Sequence, residues 1–295
     1  MQQKAVIFGG GGQLGVELCR EFERRKWTVQ RFDRHSLDVT DAARVEEAIA
    51  KADAQVVLNA AAYNQVDIAE KEPLAAYQAN ALAVRNLALA CRQTGAQLVH
   101  YSTDYVFDGT KGSPYVETDL PHPLGAYAVS KFAGEIYAQA YLSDALIVRT
   151  SGVFGPAGAF TPRGNFVELM LRMAKSNTPI RVVADHVASP TYAPAMASRT
   201  ADLVSKNIRG LFHMGGGQPI SWYDYAKLIF ELAGLGPSLT PTDEREYRTA
   251  ARRPKFSALS NSKLEAAGIV AMPPLRDAVR EYLVAREHVT AHRSS

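Results

Sequence analysis

The chain has 295 residues, of which 47% are hydrophobic and 21% charged, so it can bury a sizeable core in one large or two smaller domains. A net charge of +3 is too small to indicate a nucleic-acid partner. Cys19 and Cys91 lie on the apolar sides of helical patterns and lack a metal-binding spacing, which predicts buried thiols and no metal site. No apolar run has the length of a signal peptide or a membrane span, which predicts a cytoplasmic protein without a membrane partner.

The first segment predicts a strand, a glycine turn and a helix. Residues 5–8 form a continuous apolar run, and Gly9, Gly12 and Gly15 follow in a GxxGxxG pattern. In this order of elements, backbone N–H groups can approach a pyrophosphate at the helix N-terminus. We interpret the turn as a dinucleotide site, in preference to a glycine-rich turn without a ligand.

The residues after the second predicted strand, 28–32, bear on the choice of cofactor. Asp33 stands roughly 20 residues beyond the glycines, where an acid usually binds the ribose 2′-hydroxyl and favours NAD. Arg34 follows at once and could meet the 2′-phosphate of NADP. The sequence therefore predicts use of either NADPH or NADH.

Strands and helices alternate along the chain, which predicts an α/β fold with a Rossmann-type, doubly wound parallel sheet. The small residues of NAAA at 59–62 would let a cofactor lie against the carboxyl ends of the strands. We expect a dinucleotide-binding domain at 1–150, a smaller and mainly substrate-binding lobe at 151–288 interwoven with it, and a disordered tail at 289–295. Further helices are predicted at 41–52, 73–94, 166–174, 193–206, 222–232, 264–267 and 274–286, and further strands at 54–58, 97–101, 145–148, 180–183 and 210–214.

Three residues form a candidate catalytic set. Tyr127 and Lys131 are four apart on a predicted helix, so their side chains share a face and the ammonium can lower the pKa of the phenol. Thr103 ends a predicted strand, where its hydroxyl could reach a substrate carbonyl. A Tyr and a Lys on a solvated helix face, or a structural Thr, are the ordinary alternatives. The presence of all three favours a carbonyl reductase, in which an acid protonates the alkoxide.

At this point the chain resembles a known family over nearly its whole length. It is similar to the extended short-chain dehydrogenase/reductases, and within them to the dTDP-4-dehydrorhamnose reductase family. GxxGxxG and YxxxK mark only the superfamily. The more specific segments are GQLG at 12–15, NAAA at 59–62 with VD at 66–67 and AE at 69–70, STDYVFDG at 102–109, NF at 165–166, SPTY at 189–192, RP at 253–254 and SAL at 257–259.

The resemblance implies reduction of the C4 ketone of a nucleotide-linked 4-keto-6-deoxy sugar, with dTDP-4-dehydro-L-rhamnose giving dTDP-L-rhamnose. Thr103 would bind the carbonyl, Tyr127 would donate the proton, and Lys131 would bind the nicotinamide ribose. Mg²⁺ is a candidate metal by this resemblance, and a homodimer is a candidate assembly. Residues implied to bind the cofactor are Gly9, Gly12, Gln13, Leu14, Gly15, Asp33, Arg34, Asp38, Val39, Ala60, Ala61, Ala62, Tyr127 and Lys131. Those implied to bind the nucleotide sugar are Val66, Thr103, Asp104, Tyr105, Gly152, Asn165 and Arg253.

One position departs from the family pattern. Well-known members read RTSWVY where this chain reads RTSGVF at 149–154, so Gly152 replaces a tryptophan that packs on the hexose. Another sugar or nucleotide therefore stays open, and the insertion at 155–163 is a candidate to fill the gap.

Two alternatives remain. A dehydratase or epimerase has the same fold, although dehydratases place a Glu where this chain has Tyr105. A non-catalytic regulatory protein is the other, because the regulatory subunit of methionine adenosyltransferase also resembles this family.

Overall fold

The computed structural model describes residues 2–161, 164–176, 178–246 and 248–291. Its strands are β1 (Lys4–Phe8), β2 (Thr28–Phe32), β3 (Val56–Asn59), β4 (Gln97–Thr103), β5 (Leu146–Thr150), β6 (Ile180–Val183), β7 (Val187–Ala188), β8 (Gly210–Met214), β9 (Ile220–Ser221) and β10 (Leu239–Thr242). Its helices are α1 (Gln13–Arg24), α2 (Ala42–Ala52), α3 (Val66–Ala69), α4 (Pro73–Tyr77), α5 (Ala83–Thr94), α6 (Ala126–Tyr141), α7 (Phe166–Met173), α8 (Ala193–Ser205), α9 (Trp222–Leu232), α10 (Ser262–Ala266) and α11 (Leu275–Ala291).

The central sheet has six parallel strands in the order β2-β1-β3-β4-β5-β8, which confirms the predicted doubly wound α/β class. The chain winds outward in both directions from β1, so the crevice between β1 and β3 is the place where such sheets bind ligands. Strands β3, β4 and β5 are buried along their whole length, as their apolar runs predict for strands covered on both faces.

Two buried clusters cover the faces of this sheet. One includes residues of α1, α8 and the segment after α10, and the other includes residues of α2, α5 and α6. A third cluster joins α7, α9 and α11 with β6 and forms the core of the second lobe. Strand β8 comes from the second half of the chain, so the two predicted units share one sheet. The boundary near residue 150 stays a prediction.

The predicted elements differ from the structure mainly at their ends. Strand β4 continues to Thr103, because parallel pairing with β5 extends to that residue. The predicted helix from Pro73 is interrupted by a π-helical segment at Gln78–Leu82. The last helix ends at Ala291, beyond the predicted residue 286, and residues 292–295 of the predicted tail lie outside the described residues. Cys19 and Cys91 are buried free thiols, as predicted.

Among the helices and strands named above, four short ones were not predicted: α3, β7, β9 and β10. Two 3₁₀ helices, at Asp104–Val106 and Pro156–Phe160, were not predicted either. Strands β7 and β9 have two residues each, which is too short for a periodic pattern to be visible. None of the helices within the described ranges combines the length and the apolar character needed to cross a bilayer.

Candidate active site

The glycine turn after β1 accepts no side chain at two of its positions. Gly9 has φ +76°, and a Cβ on it would lie 2.5 Å from the N atom of Ala61. A Cβ on Gly15 would lie 2.1 Å from the carbonyl oxygen of Gly9. The turn therefore packs against the NAAA segment and the start of α1 so closely that only glycine fits. This cradle fits the pyrophosphate of a dinucleotide.

A cavity of about 280 Å³ opens beside this turn. Asp33 borders it, and its Oδ1 accepts hydrogen bonds from the N–H groups of His35 and Ser36 at 3.0 and 2.9 Å. These bonds, led by that of Ser36, lower the pKa of Asp33 and keep its carboxylate charged. Of the residues that line it, the sequence predicted only Asp33. The missed residue with a charged side chain is Arg31, which lies on β2 two positions before Asp33. The lining residues are Gly10, Gly11, Val16, Arg31, Asp33 and Ser36.

The other predicted cofactor residues range from exposed to buried. Arg34 is exposed, and its Nε lies 3.6 Å from Oδ2 of Asp38. Asp38 also accepts hydrogen bonds from Thr40, and Val39 is buried in the core. Leu14 packs against the core of the sheet, whereas Gln13 bonds to the second lobe.

The three candidate catalytic residues lie at the carboxyl end of β4 and on α6. Thr103 is the last residue of β4, and Tyr127 and Lys131 lie in the first two turns of α6. Lys131 is 3% exposed, and its Nζ donates a 2.5 Å hydrogen bond to the carbonyl oxygen of Tyr101. Burial lowers the pKa of Lys131 to about 8, so the ammonium is charged at neutral pH yet poorly solvated.

Two long-range contacts fix the start of helix α6. The N–H of Ala126 donates a 2.8 Å hydrogen bond to Oε1 of Glu70, just after α3. A carboxylate at a helix N-terminus is stabilised by the helix dipole. Asn80, in the π-helical segment, donates a 2.9 Å hydrogen bond to the hydroxyl of Ser130. The unusual segment therefore lies against the helix that carries Tyr127 and Lys131, which fits the occurrence of π-bulges at functional sites.

Glu135, one helical turn after Lys131 on α6, belongs to a buried ion pair. Arg149 on β5 binds Glu135 through Nε and Nη2 at 2.9 and 2.7 Å, and each side chain is 3% exposed. The hydroxyl of Ser102 also donates to Glu135. The charge of Glu135 raises the pKa of Lys131 against the larger effect of burial. Together with Ser102, the pair thus joins β4, β5 and α6, the elements that carry or adjoin the candidate catalytic residues.

Asp104, predicted to face the sugar, is 3% exposed and bonded on both carboxylate oxygens. Its Oδ2 accepts hydrogen bonds from Ser151 at 2.7 Å and Ser257 at 2.5 Å, and its Oδ1 accepts one from Thr103 at 3.1 Å. Burial raises the pKa of Asp104 to about 6, although the serine and threonine hydroxyls act in the opposite sense.

Tyr105 and Arg253 come together beside Tyr127. The rings of Tyr105 and Tyr127 meet edge to face with centroids 6.0 Å apart. Burial raises the pKa of Tyr105, and a hydrogen bond from Arg253 partly offsets this effect. Arg253 also forms a 2.7 Å ion pair with Asp67, the residue after Val66 in α3. The predicted residues Tyr105, Tyr127 and Arg253 therefore lie together, and Val66 is next in the chain to the aspartate that Arg253 binds.

Two predicted substrate residues have different surroundings. A Cβ on Gly152, which has φ +47°, would lie 3.1 Å from Cη2 of Trp222, so an indole from α9 covers this glycine. Asn165 lies further off, where it caps α7 through Oδ1 and donates a 2.9 Å hydrogen bond to Gln13. The described part of the 155–163 insertion also lies against Gln13, at Gly158. Trp222 therefore occupies space beside residue 152. The role predicted for the insertion stays a prediction, because residues 162 and 163 lie outside the described residues.

One cluster of potential metal ligands in the described ranges can be compared with the Mg²⁺ that the resemblance implies. Asp185, His186 and Glu244 have candidate ligand atoms within 4.8 Å of one another. Nζ of Lys255 lies 2.9 Å from Glu244 and 3.6 Å from Asp185, so an ammonium already pairs with these carboxylates. Mg²⁺ also prefers oxygen ligands to an imidazole. These residues do not fit Mg²⁺.

Comparisons with known proteins identify the family. Residues 3–287 match the family model described as "RmlD substrate binding domain". The spore coat polysaccharide biosynthesis protein SpsK of Bacillus subtilis is 37% identical over 96% of this chain and 98% of its own length. A dTDP-4-dehydrorhamnose reductase of Aggregatibacter actinomycetemcomitans is 37% identical over 90% of this chain and 92% of its own.

A solved structure gives the same result for the fold. The dTDP-4-dehydrorhamnose reductase of Bacillus anthracis, determined in complex with NADP, has a TM-score of 0.91 and 34% sequence identity. The match covers 96% of this chain and 99% of that one. The chain therefore belongs to the RmlD substrate binding domain family, as its resemblance to the dTDP-4-dehydrorhamnose reductases predicted.

Proposed function

We propose that this protein reduces the C4 ketone of a nucleotide-linked 4-keto-6-deoxy sugar with NADPH or NADH, converting dTDP-4-dehydro-L-rhamnose to dTDP-L-rhamnose. The observation that carries this proposal is that Thr103, Tyr127 and Lys131 lie at the carboxyl end of β4, on the sheet whose β1 carries the glycine cradle. The relatives named dTDP-4-dehydrorhamnose reductase support the choice of substrate.

The bound dihydronicotinamide would supply a hydride to C4 of the sugar. Negative charge then develops on the carbonyl oxygen, and the phenol of Tyr127 gives this oxygen its proton. The ammonium of Lys131 stabilises the phenolate that remains, because an opposite charge nearby favours the ionised form. Tyr101 and Glu135 hold Lys131 in place for this role.

The sugar nucleotide would lie between α6 and the second lobe. Arg253 and Tyr105 offer a guanidinium and a hydroxyl, and a guanidinium fork suits the oxygens of a diphosphate. Trp222 supplies apolar surface beside Gly152, in the place where other members have a tryptophan at position 152. Trp222 would therefore supply an indole on this side of the site in place of the missing tryptophan.

Both cofactors remain candidates. Asp33 would repel a 2′-phosphate, whereas Arg31 and Arg34 would attract one. The relative from Bacillus anthracis was determined with NADP, which supports use of the phosphorylated cofactor. We expect dual use without a strong preference.

A homodimer through α6 is the assembly we propose. Val129 and Ile136 lie seven residues apart on one face of α6 and are 48% and 51% exposed. Leu74 and Leu82, 67% and 38% exposed, belong to the adjoining helical segments. Light scattering should give a molecular mass of twice that of the chain, and the Ile136→Glu variant should have the mass of a single chain. A cytoplasmic location stays a prediction from the sequence.

Enzymatic synthesis of the substrate gives the direct test. The 4-keto sugar nucleotide is generated in place, the purified protein is added, nicotinamide oxidation is followed, and the product is identified by NMR. We expect oxidation only when the ketosugar is present, with dTDP-L-rhamnose as product. Failure of a ketosugar panel to give turnover, together with binding to and alteration of a methionine adenosyltransferase, would establish the regulatory alternative instead.

A further inference from the structure

Asp104 is held by hydroxyl groups from three separate parts of the chain. Thr103 ends β4, Ser151 follows β5, and Ser257 belongs to the segment between β10 and α10. The two serines share Oδ2, and Thr103 bonds to Oδ1. The carboxyl group therefore has one oxygen with two fixed donors and one oxygen aimed at a candidate catalytic hydroxyl.

The hydroxyl of Thr103 has one proton and two lone pairs. One lone pair accepts the N–H of Tyr105 at 3.2 Å. When Asp104 is ionised it can only accept, so the single proton of Thr103 is directed to Oδ1 at 3.1 Å. Thr103 then presents only a lone pair to the substrate, and a ketone oxygen needs a donor.

Protonation of Asp104 reverses the polarity of this hydroxyl. Oδ2 can keep both serine donors as a carbonyl oxygen, while Oδ1 carries the proton and donates it to Thr103. Thr103 then accepts from Tyr105 and Asp104, and its own proton turns to the substrate. Every hydrogen bond of the cluster survives in both forms, so the change requires no movement of heavy atoms.

The surroundings of Asp104 allow both the protonated and the ionised form of its carboxyl group to be populated. Burial raises the pKa of Asp104 to about 6, because desolvation outweighs the hydrogen bonds from Ser257, Ser151 and Thr103. The nearest titratable group is Tyr105, the next residue in the chain. Tyr127 on α6 and Arg253 in the segment after β10 act on the pKa of Tyr105 together with Asp104.

We propose that Asp104 is a positioning residue whose protonation turns the Thr103 hydroxyl into a donor to the substrate ketone, an inference that rests on the proposed reductase function. Ser151 and Ser257 hold the carboxyl in the orientation that makes this exchange possible. In the reductive direction the protonated form is the more active one.

The test is the pH profile of kcat in the reductive direction at saturating cofactor and sugar, in wild type and four variants. Wild type should lose activity as pH rises through about 6, by about tenfold per unit until the residual rate of the ionised form is reached. Asp104→Asn mimics the protonated acid, with its amide nitrogen toward Thr103 and its oxygen toward the serines. This variant should abolish the declining limb of the pH profile, and its kcat at pH 8 should exceed that of wild type. Thr103→Val should abolish the limb with a lower kcat at every pH.

Ser257→Ala removes one donor to the carboxylate, so it should raise the pKa and move the limb upward by roughly one pH unit. Ser260→Ala is the matched control, because this serine lies on the same segment and bonds to Ser262 instead. It should leave the limb in place. A limb that persists in Asp104→Asn, or that Ser257→Ala does not move, would overturn the inference.

A substrate-free measurement separates this inference from the proposed function. The ¹³C resonance of the Asp104 carboxyl, identified by its loss in Asp104→Asn, should titrate near pH 6 and shift upward in Ser257→Ala and Thr103→Val. A midpoint near 4 that neither variant moves would contradict the inference even without turnover. Absence of turnover at any pH in wild type would count against the reductase function alone.

Discussion

Lys131 donates its ammonium proton to the carbonyl oxygen of Tyr101 at 2.5 Å, so the strand that ends in Thr103 also holds the cation of the YxxxK pair. Strand β4 therefore positions both Thr103 and Lys131, since Tyr101 and Thr103 are two residues apart on it. The third, Tyr127, lies one helical turn before Lys131. The geometry of the set depends on how α6 packs against β4.

Lys131→Met should weaken cofactor binding and also lower kcat, because it removes the cation proposed to bind the ribose and to stabilise the phenolate. The folded pKa of Lys131 is about 8, below its usual 10.5, so the charge is present below pH 8 and is lost as the pH rises through it. The cofactor Kd of wild type, measured by fluorescence, should therefore increase above pH 8. In Lys131→Met this pH dependence should be absent. Lys51→Met, at an exposed lysine, is the control and should behave like wild type.

Asp33→Ala should shift the cofactor preference toward NADPH, because the charge that opposes a 2′-phosphate is removed. Arg31→Ala and Arg34→Ala should shift it toward NADH. The quantity to compare is the ratio of kcat/KM values for the two cofactors. An unchanged ratio in all three variants would mean that another part of the chain recognises the ribose.

Trp222→Leu should raise KM for the sugar nucleotide with little change in cofactor Kd. The indole lies beside Gly152 and also packs on Phe166, so its loss removes a large apolar surface on the substrate side, away from the cofactor turn. Steady-state kinetics and fluorescence titration on one preparation distinguish the two effects. Equal weakening of both ligands would indicate a packing defect, which Trp222→Phe should then repair.

Arg149→Met should lower the free energy of unfolding by about 3–5 kcal/mol, because it leaves the Glu135 carboxylate buried without its partner. Urea titration measures this loss. The double variant Arg149→Met/Glu135→Gln should recover part of it, since no uncompensated charge then remains. An unchanged denaturation midpoint in the single variant would show that the pair carries little of the stability of this layer.

The sequence predicted those parts of the fold and site that depend on local spacing. The glycine turn and the YxxxK pair are each contained in one short segment, so their partners are a few residues apart. The contacts that sequence analysis missed join distant segments: Asn80 with Ser130, Glu135 with Arg149, and Asp104 with Ser257. Their separations of 50, 14 and 153 residues leave no periodic signal in the chain.

The position of Trp222 is a second example of a long-range contact that the sequence does not reveal. A pattern of aligned positions records the loss of a tryptophan at Gly152. It does not show that an indole 70 residues later lies beside the same backbone, because that contact arises only when α9 packs onto the loop after β5. The side chain that fills a space is a property of the assembled lobe.

The proton donor is the central element of this account, and Tyr127→Phe tests it most directly. The substitution keeps the ring and its edge-to-face contact with Tyr105 while removing the hydroxyl. We predict that kcat for reduction of the 4-keto sugar falls by about 10²–10⁴-fold with a nearly unchanged cofactor Kd. Near-normal turnover by Tyr127→Phe would contradict the assignment of Tyr127 as the acid and, with it, the proposed mechanism.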